Sequence, residues 1–152
     1  MTANLIRIFD RQFELLFDES THFVKTLPPE LLHRQAETEQ YAAKSCGELI
    51  LRSAAAVEQT FGGITANLWD DPFEWTLPET LSTNRRVIEY LEETEATRKR
   101  GFELFTRDED LLKEIAAPSG ETIALAELLL QTLVRAAHFQ GRAFAARVFN
   151  ES

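Results

Sequence analysis

Cysteine is nearly missing from this sequence: Cys46 stands alone among 152 residues, so no intrachain disulfide can form and no CxxC metal or redox site exists. Long apolar runs are missing too. The opening stretch, MTANLIRIFDRQFELLFDE, carries a charge every few residues and offers neither the core of a signal peptide nor a membrane span. Together these absences point to a reducing, cytoplasmic setting. Histidine is scarce: His22, His33 and His138 are the only three, and no HxxxH or HxxE pair presents two ligands from one helix face. The glycines at 62, 63 and 120 build no phosphate-cradling loop. Basic residues are outnumbered 25 to 16, for a formal charge of −9. Such a surface repels phosphate backbones and anionic lipid, which argues against nucleic-acid and membrane partners while leaving room for a local basic pocket.

What is present reads as helix. A hydrophobic fraction of 44%, with eleven phenylalanines and two tryptophans, suits a globular chain, and the length suits a single domain over residues 1–152. Leu5, Phe9, Phe13, Leu16, Ser20 and Phe23 recur at three- and four-residue steps, predicting a first helix that Pro28-Pro29 ends. A short helical turn is expected in ELLHRQAETEQ, then a second long helix over about residues 38–62 with Gly62-Gly63 as its stop. Residues 65–82 hold two prolines, both tryptophans and no helical period, and read as a connection with Thr80, Ser82 or Thr83 as cap candidates for a third helix. Its tryptophans either pack it onto the helices or cover a dimer partner. Those 18 residues, at about 3.3 Å each, can travel the length of a helix of about 37 Å, so helices 2 and 3 can run parallel.

The third helix, NRRVIEYLEETEATRKRGFELF, turns Val87, Leu91, Phe102 and Phe105 inward, with Thr94 and Arg98 near the same face, which is odd for a plain core. Its acidic run reads as a solvated face with weak pairs such as Glu95 with Lys99 and Glu93 with Arg98. Thr106 and Glu109 suggest a capping box for a short helix, DEDLLKEI, before a break at APSGET and a last helix over about 121–148. Little or no strand is expected.

Two stretches carry a family likeness. KSCGELILRSAAAVEQTFGGI (44–64) and TIALAELLLQTLVRAAHFQGRAFAARV (122–148) resemble the second and last helices of the DinB/YfiT-like proteins, and the order of elements resembles theirs along the whole chain. The resemblance implies an all-α fold, a four-helix bundle of up-down-down-up topology with a long crossover between helices 2 and 3. It also implies a divalent metal held by three histidines, thiol-transferase or hydrolase chemistry in some members, and frequent homodimers. Anchored on Gly47-Glu48 and on Gly141, the three ligand positions fall on Arg52, Arg135 and Phe139, none of them histidine, with His138 one residue and about 100° out of register. A guanidinium has no lone pair to give a metal. The expectation is therefore no metal, no cofactor and no working metalloenzyme.

The candidate pocket is lined by Glu48, Arg52, Arg135, His138 and Phe139, with Arg98 or Thr94 from helix 3. Arg52 and Arg135 are expected to face each other. One reading is an internal Arg–Glu network, since Glu48 precedes Arg52 by one turn at the favourable spacing. The other is a site for a small anionic ligand gripped by two guanidinium forks. A metal-dependent hydrolase or thiol transferase built around His138, and a purely structural dimerisation module, are the alternatives. Cys46, with no histidine or helix N-terminus near it, reads as a small buried hydrophobe.

Overall fold

The computed structural model describes residues 4–35, 44–70, 81–117 and 119–151. Among these residues four long helices make a mostly helical, all-α structure: α1 (Asn4–Thr26), α2 (Cys46–Ala66), α3 (Asn84–Phe102) and α4 (Leu125–Glu151). No helix among the described residues is long and apolar enough to cross a membrane. α1 lies beside α3 and α4, and α2 also lies beside α3 and α4.

Each helix end has a local cause. α1 stops before Pro28-Pro29 as the sequence predicts, and a single 3-10 turn follows at Pro29–Leu31. Its first-turn amides at Leu5 and Ile6 donate to Asp108 Oδ1 at 3.0 and 3.3 Å, a cap supplied from far along the chain. α3 is capped by Thr83, one of three cap candidates, whose hydroxyl accepts from the Arg86 amide at 3.2 Å. Thr80 lies outside the described residues, as do 36–43 and 71–80, which hold the expected start of helix 2 and most of the connection.

Both boundaries of α2 differ from expectation, and α4 begins at Leu125 rather than at about 121. α2 begins at Cys46, because the Ser45 hydroxyl accepts from the Glu48 amide at 3.1 Å, the Ser-x-x-Glu spacing of a capped N-terminus. It also runs through Gly62-Gly63 to Ala66, where Asn67 takes the left-handed conformation (φ 54°) and ends it. Gly63 is needed for room: a Cβ there would stand 2.2 Å from the Trp69 ring, which the returning chain lays against α2. After α3, the expected helix DEDLLKEI is a 3-10 segment (Asp108–Leu112) followed by two short antiparallel strands, β1 (Glu114–Ala116) and β2 (Thr122–Ala124). Asp110, not Glu109, is the capping carboxylate: its Oδ2 accepts from the amides of Thr106 and Arg107 at 2.9 and 3.1 Å.

The core has two apolar clusters. One gathers Phe23, Val24, Leu27, Leu32, Leu49, Ile50 and Val87 at one end. The other centres on Phe13, Phe61 and Phe102, whose ring centroids are 5.5–5.8 Å apart. Gly101 admits the Phe61 ring, which would otherwise meet a Cβ at 2.5 Å. Small residues let α2 and α4 approach, and polar bonds stitch them: Ser53 Oγ donates to the Ala136 carbonyl at 2.7 Å, Cys46 Sγ to that of Ala143 at 3.5 Å, and Thr60 and Thr132 pair at 2.6 Å. Cys46 is buried, as expected of a small hydrophobe, but it stands in the first turn of α2 rather than away from a helix N-terminus, because the helix begins only after Ser45. On the other side of α4, Gln140 Nε2 reaches the Leu16 carbonyl and Ser20 Oγ of α1, and Phe144 packs on Phe23. Asn84 Nδ2 donates to the Val24 and Leu27 carbonyls at the end of α1.

Candidate functional site

The residues singled out from the sequence occupy three separate places. Glu48 and Arg52 form an ion pair of 3.5 Å along α2, with Lys44 adding a second contact to Glu48 at 3.7 Å. This is the pair the spacing predicts, half-buried rather than interior, with Arg52 at 28% exposure. Arg135 bonds elsewhere: its Nη2 donates to Gln59 Oε1 at 3.0 Å. Gln59 follows Arg52 by two helical turns, about 10 Å along the axis. The expected network thus separates into one pair at Glu48 and another at Gln59. His138 is exposed on α4, its ring 6.0 Å from that of Phe139, while Phe139 packs half-buried against the first core cluster with Arg142 over its face at 5.8 Å.

Arg98 belongs to neither group. It is the largest of the fully buried side chains, 1% exposed, and lies between the rings of Phe13 and Phe102 at 5.8 and 5.1 Å. Its Nη1 donates to Asp10 of α1 and its Nη2 to Glu95 one turn earlier. Glu95 is therefore a buried partner of Arg98, not a member of a solvated face paired with Lys99. The reason is reach: Asp10 brings a second carboxylate across from α1, which lets the guanidinium stay inside with its charge balanced. Burial pushes the Glu95 carboxyl above its ordinary range, and the adjacent Arg98 opposes that shift without cancelling it.

Around Arg135 the chain forms a groove of about 330 Å³ between the C-terminal half of α2, the N-terminal half of α4 and the strand pair. Trp69, Ile123 and Leu128 give it apolar walls, and Gln59, Gln131 and Arg135 give it polar ones. The polar side is pre-arranged. Gln59 Nε2 donates to the Trp69 carbonyl at 2.8 Å, which fixes its amide so that Oε1 faces Arg135. Among the described residues only one guanidinium nitrogen is used this way, and the side chain is exposed. The floor is electrically quiet, because Thr132 donates to the Leu128 carbonyl and Thr60 is then the donor to Thr132. Volume and lining match a small-molecule site.

The sequence reading found Arg135 but missed Gln59, Gln131 and Trp69. A signal existed: Gln131 stands one turn before Arg135, and Gln59 two turns after Arg52, so polar residues recur along facing helix stripes. Trp69 was legible only as part of a connection, since its place depends on Gly63 admitting the ring.

Arg52, Arg135 and Phe139 do not fit the metal that the family resemblance implies: two are fixed cations engaged with Glu48 and Gln59, and the third is an aromatic in core packing. Among the described residues no three histidine, cysteine, aspartate or glutamate side chains gather as a metal site. No family model matches the chain, and no curated protein or solved structure matches it either.

Proposed function

We propose that this chain is a DinB-like four-helix bundle that has lost its metal site and serves as a binding protein for a small organic anion. Three sets of contacts favour the up-down-down-up arrangement. Asn84 meets Val24 and Leu27, which runs α3 against α1. Leu16–Gln140, Phe23–Phe144 and Thr26–Arg147 run α4 alongside α1 in the same direction. Cys46–Ala143 and Thr60–Thr132 run α2 against α4. Helices 2 and 3 then run parallel.

The observation that carries the function is Arg135, exposed at the wall of the groove and held by Gln59 with most of its donors left for a ligand. A guanidinium fork grips carboxylate and phosphate alike, and the walls from Trp69, Ile123 and Leu128 favour an anion that carries an apolar body, as organic carboxylates do. The ligand class is thus a small monocarboxylate with an apolar ring or chain. Benzoate is a suitable probe, with acetate and phosphate beside it. At 100 times its dissociation constant a ligand adds about 2.7 kcal/mol, or roughly 5–10 °C in Tm for a domain of this size. Benzoate should raise Tm in the natural protein and in Arg52→Ala, and not in Arg135→Ala. The proposal fails if none of the three anions raises Tm, or if the rise survives Arg135→Ala.

Homodimerisation is a second reading, favoured by the outer face of α4. Leu130, Val134, Ala137, Gly141, Ala145 and Val148 lie exposed at three- and four-residue steps, the spacing of a helix-pairing seam. A Cβ added at Gly141 would meet nothing within 4 Å, so the middle of that stripe is open to close approach. The metalloenzyme alternative around His138 gains nothing comparable, as that ring is exposed and no metal-ligating cluster gathers among the described residues.

A further inference from the structure

Between α1, α2 and α3 lies a second cavity, of about 30 Å³, whose lining includes Ser20, Ser53, Thr94, Glu95 and Arg98 among apolar neighbours. Two of its polar groups are more than nine-tenths buried and have bonding capacity that no described residue uses: Arg98 Nε and Thr94 Oγ1. For Arg98, Nη1 and Nη2 each give a hydrogen bond to a carboxylate, of Asp10 and Glu95, while the buried Nε–H has no acceptor among the described residues. For Thr94, the comparison lies within the chain. Thr65, Thr97 and Thr132 each donate to the carbonyl four residues earlier, at 2.6, 3.1 and 2.8 Å, the usual resting place of a helical threonine hydroxyl. Thr94 makes no such bond, although it sits inside α3 with that carbonyl one turn back.

Size and charge narrow what the cavity takes. A water needs about 10–15 Å³ in this measure, so the space admits about two and nothing larger. One guanidinium already faces two carboxylates, Asp10 and Glu95, so the local field rejects an anion. Cavities that stay dry are lined by apolar groups alone, whereas Ser20, Ser53, Thr94 and Arg98 put polar atoms into this largely apolar wall. We propose that the cavity is a structural water site: one or two water molecules accept from Arg98 Nε and bond to Thr94 Oγ1, completing a polar layer that joins all four helices. The remaining links of that layer are in place. Ser20 accepts from Gln140 of α4 at 2.8 Å and keeps its own proton to donate inward, while Ser53 donates to Ala136 of α4 and keeps lone pairs to accept. Each water thereby finds the two to four partners that buried water requires.

High-resolution crystallography of the full chain, with and without xenon under pressure, tests this. The expected result is density for one or two waters within hydrogen-bond distance of both Arg98 Nε and Thr94 Oγ1, with xenon excluded. Thr94→Ser should keep the water in place, and Thr94→Val should lose the bond to position 94. An empty cavity, xenon in its place, or waters that touch neither atom overturns the proposal. Should the valine variant fail to fold, the water density and the xenon result in the natural protein decide between these outcomes.

Discussion

Two carboxylates in this chain respond to pH in opposite senses. Asp110 is held well below the usual carboxylate range, first by the amides of Thr106 and Arg107 and then by Lys113 at 3.1 Å. Its folded pKa is depressed, so its contribution is present above about 3.8, the unfolded value, and is lost as pH falls below it. Glu95 is raised by burial, so its contribution is present below about 4.5 and is lost as pH rises through the folded value. Denaturant titrations across pH 3–8 should therefore show Asp110→Asn less stable than the natural protein above pH 4, with the gap closing on acidification. Glu95→Gln should show the reverse trend, its relative stability improving as pH rises. Parallel curves for either variant would mean that the carboxylate does not titrate as argued. From the sequence, Thr94 and Arg98 were already conspicuous as polar residues on an inward face. The partner of Arg98 on α1 was not, because Asp10 is 88 residues away and only the packing of α1 on α3 brings it near.

At the scale of elements, the helix periods were legible throughout, and so were ends set by one residue's own chemistry, such as Pro28-Pro29 and Thr83. Ends set by a distant neighbour were misread. Gly62-Gly63 carries the composition of a stop signal, yet these glycines serve Leu68 and Trp69 returning across α2. The cap at Ser45 was legible in its spacing to Glu48 but was hidden by the helical look of the segment before it. Gly47 in the same turn has a reason of its own: its amide donates to the Leu32 carbonyl at 2.6 Å, and a Cβ there would lie 2.5 Å from that oxygen. Gly47→Ala should destabilise the protein by about 1–3 kcal/mol, the usual cost of overpacking. That loss exceeds the gain of up to about 1 kcal/mol expected from replacing a helical glycine. A rise in Tm on this substitution would show that the turn at Leu32 can yield.

For the molecule as a whole, the strand pair and the groove it borders were the least legible parts. β1 and β2 have three residues each and no alternation long enough to read, and they take shape from the turn at Gly120 (φ 86°) and from their pairing. Assembly belongs to this scale too. Val134 is 63% exposed on the proposed seam of α4 and makes no part of either core cluster. Val134→Glu should leave folding intact and shift sedimentation from dimer to monomer. A natural protein that already sediments as a monomer removes the dimer reading without touching the groove.

The dominant partner of α2 is α4, the last of the four described helices, and the first-turn amides of α1 wait on Asp108 for their acceptor. During synthesis, which proceeds from the N-terminus, the polypeptide therefore leaves the ribosome with a primed but open core. Ser53, Thr60 and the apolar face beside them stay uncovered until residues near Ala136 and Thr132 emerge. A ribosome that stalls before α4 presents a nascent chain with that face exposed to chaperones and proteases, so the 27 residues of α4 decide whether the preceding ones survive.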